Sequence, residues 1–171
     1  MQTEPSPIQV RPADLTGPDS GVVSHLVEAY LRRTEFEKAT HLSGLGAEAD
    51  LPKRYRDEVE TPARAYENAT VYLAELNLLP VGVIVVQHNR ANHEIKRVWV
   101  EPSARGQRVG SALIDAVLSQ QDRPARLTVW DWRRDAIQLY RSRGFVPVAS
   151  WEDRPRLVCM ELPSTSPENA R

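Results

Sequence analysis

The sequence predicts a mixed α/β fold, a mostly antiparallel sheet with helices on both of its faces. Two observations predict it. β-rich runs crowd residues 70–101, and the second half then alternates helix and strand in a βαβ rhythm. Together they give the order β-α-α-β-β-β-α-β-α-β-β. The chain has 171 residues, 41% of them hydrophobic, which is enough to build one sizeable core.

Taken in order, Ile8 to Arg11 alternates apolar and polar residues and reads as a short strand. Gly17-Pro18-Asp19-Ser20 supplies helix-start chemistry, and Val22, Val23, Leu26, Val27, Tyr30 and Leu31 follow at helical spacing. Asp50 and Pro52 mark a second, short helix with Leu51, Tyr55 and Val59 on one stripe. Thr70–Leu76 and Val81–His88 form a hairpin separated by Asn77-Leu-Leu-Pro80. Asn89–Asn92 is the next turn, and a third strand runs from about His93 to Glu101, ended by Pro102. Val109, Ala112, Leu113, Ala116 and Val117 make a helical stripe, and Leu127–Trp130 a short strand. Ala136, Ile137, Leu139 and Tyr140 lie on a last helix, with Gly144 suited to the left-handed position after its end. Phe145–Ala149 and Leu157–Leu162 close the chain as strands. Residues 1–6 and 163–171 have little to bury and read as disordered tails around a single domain spanning 7–162.

Composition excludes several classes. A formal net charge of -1 argues against a nucleic-acid partner. Cys159 is the lone cysteine, so an internal disulfide is impossible and a cysteine-based metal site is not expected. Its place in an apolar strand marks a buried core thiol. The N-terminus lacks the basic segment and apolar run of a signal peptide, and no stretch approaches the roughly 20 apolar residues of a membrane span. A cytoplasmic location, with no membrane partner, is the expectation. His25 reads as a surface residue, His41 has no metal-ligand partner at recognisable spacing, and Trp130 and Trp132 read as packing residues.

The most informative stretch is Val98 to Leu113. A strand ends at Pro102, the turn Ser103-Ala-Arg-Gly-Gln-Arg-Val-Gly110 follows, and a helix begins. Such a junction exposes unpaired backbone N–H groups at the positive end of a helix dipole, a natural anion site. Gly106 and Gly110 let the main chain approach a ligand, and Arg105 and Arg108 add positive charge. The turn lacks the Gly-Lys-Ser/Thr of a nucleotide-triphosphate loop and the spacing of a dinucleotide fingerprint. On its own it is equally readable as an ordinary βα turn with solvated arginines.

Taken together, Glu94-Ile-Lys-Arg-Val-Trp-Val-Glu-Pro-Ser-Ala-Arg-Gly-Gln-Arg-Val-Gly110 and Leu127-Thr-Val-Trp-Asp-Trp-Arg-Arg-Asp-Ala-Ile-Gln-Leu-Tyr-Arg-Ser-Arg-Gly-Phe145 resemble the two signatures of the GNAT superfamily of N-acetyltransferases, in the family's order and spacing. The resemblance covers residues 70–162 well and 8–60 only through helix placement. It implies a GNAT-like sheet with a splayed pair of central parallel strands. It implies acetyl-CoA as co-substrate, its pantetheine arm along Val98, Trp99 and Val100 and its diphosphate on Arg105, Gly106, Gln107, Arg108, Val109, Gly110 and Ser111. Arg108 stands where the family has Gly, and Arg133 where it often has a cofactor-contacting Asn; Arg133 could instead reach a CoA phosphate.

Acetyl transfer needs a neutral amine, donors for the oxyanion and an outlet for the thiolate. An alkyl amine with a pKa of about 10.4 is protonated at neutral pH, so a base helps. By resemblance, Tyr140 is the acid at the CoA sulfur. Glu94 is the base, sharing strand parity with Lys96, Val98 and Val100; Thr128 occupies the family's other base position and cannot serve. His93 could share the base role, since an ordinary imidazole pKa of about 6.5 suits it, but it neighbours a turn, which predicts exposure. Acceptor specificity is expected from about Tyr30–Tyr66 and Ser150–Arg156, whose mixed charges name no substrate. A small-molecule primary amine is the leading acceptor. A non-catalytic acyl-CoA sensor and a protein or peptide acetyltransferase are the alternatives, and a homodimer is compatible with the sequence.

Overall fold

The computed structural model describes residues 8–42 and 51–164. The predicted tails, 1–6 and all of 163–171 beyond Ser164, lie outside the described residues. The strands are β1 (Gln9–Pro12), β2 (Ala69–Leu76), β3 (Leu79–His88), β4 (His93–Val100), β5 (Ala125–Trp130), β6 (Val146–Pro147) and β7 (Leu157–Leu162). They form one seven-stranded sheet in the order β1-β2-β3-β4-β5-β7-β6. The helices are α1 (Asp19–His41), α2 (Lys53–Glu60), α3 (Pro62–Ala65), α4 (Val109–Leu118) and α5 (Arg134–Ser142). Every strand pair is antiparallel except β4–β5.

The period-2 alternation of β3 feeds two cores, one on each face. Val83 and Val85 join Val23, Leu26, Val27 and Leu31 of α1 and Val71 and Leu73 of β2. Ile84 and Val86 join Ile95, Leu113, Ile114, Leu127, Phe145 and Met160 under α4 and α5. The predicted core thiol, Cys159, is buried, and the His25 side chain is exposed.

Three elements differ from the sequence reading. The β2–β3 hairpin closes on two residues, Asn77 and Leu78, both at positive φ (54° and 65°), with Leu76 opposite Leu79. This is the twist-matched hairpin turn, and it lets β3 start at Leu79. Helix α1 continues to His41 although its apolar stripe ends at Leu31. Its last turns are carried by ion pairs Glu28–Arg32 and Arg33–Glu37 at i,i+4 spacing and by docking on residues 132 and 133. β6 shrinks to two residues because Pro147 cannot donate to a ladder.

A bulge in β4 decides the geometry of the sheet's centre. Lys96 lies opposite Val85 and Trp99 opposite Val83, so Ile84 faces two residues, Arg97 and Val98. Arg97 takes φ 55° and donates to Glu58 of α2 through Nε (3.1 Å) and a terminal nitrogen (3.0 Å). The extra residue reverses the side-chain phase. Glu94 therefore shares its face with Lys96 and Trp99, while Val98 and Val100 pack on the α4 side, which corrects the parity expected for Glu94. β4 pairs with β5 only at His93–Ala125, Glu94–Arg126 and Ile95–Leu127; beyond Ile95 the strands part.

His93 is buried, not exposed, because it faces inward at the start of β4. Its Nε2 lies 2.6 Å from Asp122 and its Nδ1 3.0 Å from Nδ1 of His88, whose Nε2 lies 2.7 Å from the Thr70 hydroxyl. Burial, then the neighbouring His93, lower the His88 pKa below its ordinary value. A histidine depressed on folding contributes stability that is complete above about pH 6.5 and fades as pH falls. The melting temperature should therefore fall between pH 7.5 and 5.5, and His88→Gln should flatten that slope. An unchanged slope in the variant would show that the pH dependence has another source.

Candidate active site

Where β4 and β5 part, a cleft of about 800 Å³ opens, lined by Glu94, Val98, Trp99, Val100, Arg105, Gly110, Arg133 and Tyr140 among others. That size suits a ligand of a few hundred daltons or one arm of a longer one. On one side Val98 to Val100 run along the β4 edge that has no β5 partner, so the strand's polar groups there face the gap. An unpaired strand edge pairs readily with an amide-bearing ligand.

At the end of that edge the chain turns into α4. Gly106 takes φ 77°, with nothing within 4 Å of a notional Cβ, and Arg108, the residue before the helix, takes φ 65°. No side chain caps α4, and the N–H groups of Gly106 to Ser111 meet no backbone acceptor among the described residues. Successive unpaired amides at a helix N-terminus form a concave anion cradle. The Arg108 side chain is exposed and does not line the cleft, so it leaves the cradle open. Val109 buries its side chain in the α4 core and can offer only its N–H. A Cβ at Gly110 would point between Val100 and Leu139, at 3.9 and 3.6 Å, into the cleft. Arg105 lies across the Trp99 ring at 4.8 Å and donates through Nε to the Val100 carbonyl at 3.1 Å.

Tyr140 enters from α5, packed edge-on against Phe145 and buried. Burial pushes its hydroxyl pKa well above the ordinary tyrosine value, so it keeps its proton at any physiological pH. Glu94 sits where the two strands are still paired, 3.4 Å from Arg126 and 3.8 Å from Lys96.

Arg133 reaches the cleft, but its guanidinium turns to α1, donating to Glu37 Oε2 (2.8 Å) and the Thr34 hydroxyl (2.7 Å) over the Tyr30 ring. It is committed there, and the phosphate contact suggested from sequence finds no support in this geometry. Glu37 also accepts from the Trp132 indole N–H at 3.1 Å. Burial alone would raise the Glu37 carboxyl, but the Trp132 hydrogen bond and the Arg133 charge outweigh it and hold the group below its usual range.

Sequence reasoning missed Trp132 as a cleft residue, whereas Thr34 and Glu37 fall in the Tyr30–Tyr66 stretch expected to face the acceptor, without their link to Arg133 having been foreseen. The signal available was the Arg33–Glu37 spacing, which continues the helix past the apolar stripe and over the β5–α5 junction. It also missed Arg97, whose place follows from the bulge.

The sheet order, the single parallel pair that splays and the amide-rich turn define an acetyltransferase fold of the GNAT class. The sequence model of the acetyltransferase (GNAT) domain matches residues 67–147. No match to the chain is found among curated proteins. Solved structures agree on the fold. The PaiA N-acetyltransferase of Thermoplasma acidophilum in complex with coenzyme A is 16% identical over 92% of this chain and 99% of its own, with a TM-score of 0.68. A GNAT family acetyltransferase from Elizabethkingia anophelis with acetyl-CoA bound is 15% identical over 92% and 98%, TM-score 0.62. A GNAT family acetyltransferase from Streptococcus pneumoniae is 19% identical over 92% and 100%, TM-score 0.60.

Arg108 in the left-handed region carries a steric cost of order 1 kcal/mol that glycine does not. Arg108→Gly should therefore leave the fold intact and raise the melting temperature by roughly 3 °C for a chain of this length. A clear fall would mean that the arginine side chain contributes more than its backbone costs.

Proposed function

We propose that this protein transfers the acetyl group of acetyl-CoA to the primary amine of a small molecule. The observation that carries the reading is the continuity of two backbone surfaces: the β4 edge at Val98–Val100, which has no β5 partner, and the amides of Gly106–Ser111, which meet no backbone acceptor among the described residues. A coenzyme with an amide-bearing arm and a diphosphate matches both in sequence, and it supplies a thioester as acyl donor. Coenzyme A and acetyl-CoA in the Thermoplasma and Elizabethkingia structures support that choice. The 800 Å³ cleft favours a small acceptor over a protein segment.

The chain's own residues then divide the work. In the reaction a C–N bond forms, the thioester C–S bond breaks, the amine loses a proton and the thiolate gains one. A β4 N–H facing the gap donates to the thioester oxygen as charge develops there. Glu94, directly or through a water, accepts the amine proton; Arg126 and Lys96 hold its carboxylate in place. Tyr140 faces the thiolate as a donor. Its pKa lies above that of an ordinary thiol, about 8.5, so complete transfer to sulfur is uphill. Tyr140 therefore stabilises the thiolate by a hydrogen bond, and solvent delivers the neutralising proton.

Acetyl-CoA should raise the melting temperature of the purified protein, as a ligand of the folded state must. Amine-dependent release of free thiol should follow, which a mere acyl-CoA sensor would not give. Tyr140→Phe should lower kcat by on the order of 100-fold with acetyl-CoA affinity retained, and Glu94→Gln should remove the acid limb of the pH–rate profile. Turnover of the Tyr140 variant at the wild-type rate would remove that residue from the mechanism, and an unaltered profile would move the base elsewhere.

A further inference from the structure

The half of the cleft farthest along the chain from the phosphate turn has a distinctive charge arrangement. It is walled by α1, the start of α2, β4 and the loop before β7. Each carboxylate that those walls bring to the cleft has a cation partner. Glu37 lies between Arg33 (3.2 Å) and Arg133 (2.8 Å), and Glu94 between Arg126 and Lys96. Glu152 is held by Arg154 at 2.9 Å and Glu35 by Lys38 at 3.1 Å. The walls named here leave no lining carboxylate to bind a second ammonium group; Asp135, which lines the cleft without an ion pair among the described residues, stands on α5 instead.

Two cations, by contrast, keep spare donors. Lys96 Nζ stands 3.8 Å from Glu94, beyond hydrogen-bond reach, and makes no hydrogen bond among the described residues. Arg54 lies on the Tyr55 ring at 4.5 Å with no ion pair or hydrogen bond among the described residues. Arg97, the residue after Lys96, lies over the same ring at 5.5 Å, which brings the two cations to one region of the cleft. Both side chains line the cleft.

Resting on the acetyltransferase reading above, we infer that the acceptor is an amino carboxylate: an amine whose own molecule carries a carboxylate that Lys96 and Arg54 bind. The positive surplus does two things at once. It attracts and orients the carboxylate through charge-assisted hydrogen bonds. It also disfavours the ammonium form of the bound amine, lowering its pKa and easing the proton loss that precedes attack. Diamines and polyamines are disfavoured on both counts, since their second cation meets Lys96 and Arg54, and the unpaired Asp135 lies on α5 rather than on these walls.

The test uses the full chain with acetyl-CoA and follows free thiol. The common amino acids are compared with tyramine, tryptamine, histamine, cadaverine and spermidine. At least one amino acid should exceed its decarboxylated counterpart at least tenfold in kcat/KM. Arg54→Gln should raise KM for that amino acid about tenfold while changing KM for its decarboxylated counterpart less than twofold, and Lys96→Gln, which also bears on Glu94, should lower kcat/KM for the amino acid about tenfold more than for its counterpart. The stabilisation by acetyl-CoA, measured on each variant, reports that it is folded. Equal or better use of the decarboxylated amines overturns the inference, as does an equal effect of the variants on both partners of a pair. Acetyl-CoA stabilisation without turnover of any amino acid overturns the substrate class alone. Absence of that stabilisation overturns the acetyltransferase reading and this inference with it.

Discussion

The ion pair between Arg97 and Glu58 holds the bulge on which the centre of the sheet depends. Arg97 occupies a left-handed backbone conformation that no β-strand residue adopts without compensation, and its guanidinium is clamped by the α2 carboxylate between two tyrosine rings. The extra residue turns β4 away from β5 just beyond their last shared pair, Ile95–Leu127. The cleft, the free strand edge and the side on which Lys96 and Trp99 emerge all follow from that single insertion.

The second constraint is the junction of α1 with the β5–α5 turn. Glu37 gathers Arg33, Trp132 and Arg133, while His41 stacks on Trp132 at 4.5 Å and Trp132 on Trp130 at 4.8 Å. This polar and aromatic seam closes the cleft wall where the apolar core of α1 has already run out. It explains why a helix with so little amphipathic character in its last turns persists for 23 residues.

Much of the fold was legible because its signals are local. Strand alternation, the Pro102 stop and Gly144 after α5 each fix one element from its own neighbours. The turn into α4 was legible for the same reason, since strand end, glycines and helix start lie within one short stretch. What was not legible depends on partners distant in the chain. The bulge is set by Glu58, 39 positions from Arg97. The burial of His93 is set by His88 and Asp122, and the turning of Arg133 by Glu37, 96 positions away. Strand parity read from Glu94 to Val100 failed at one residue, because a register shift has no marker in an alternating pattern.

The cradle at the start of α4 is built from main-chain amides, with its side chains turned outward or buried in the core. Its row of donors is thus set by dihedral angles more than by residue identity. That leaves the loop free to drift: an arginine can replace a glycine at position 108 while the donors keep their aim. Family patterns written as letters will then understate how many chains retain this kind of anchor, and a search by backbone shape would recover those that the letters miss.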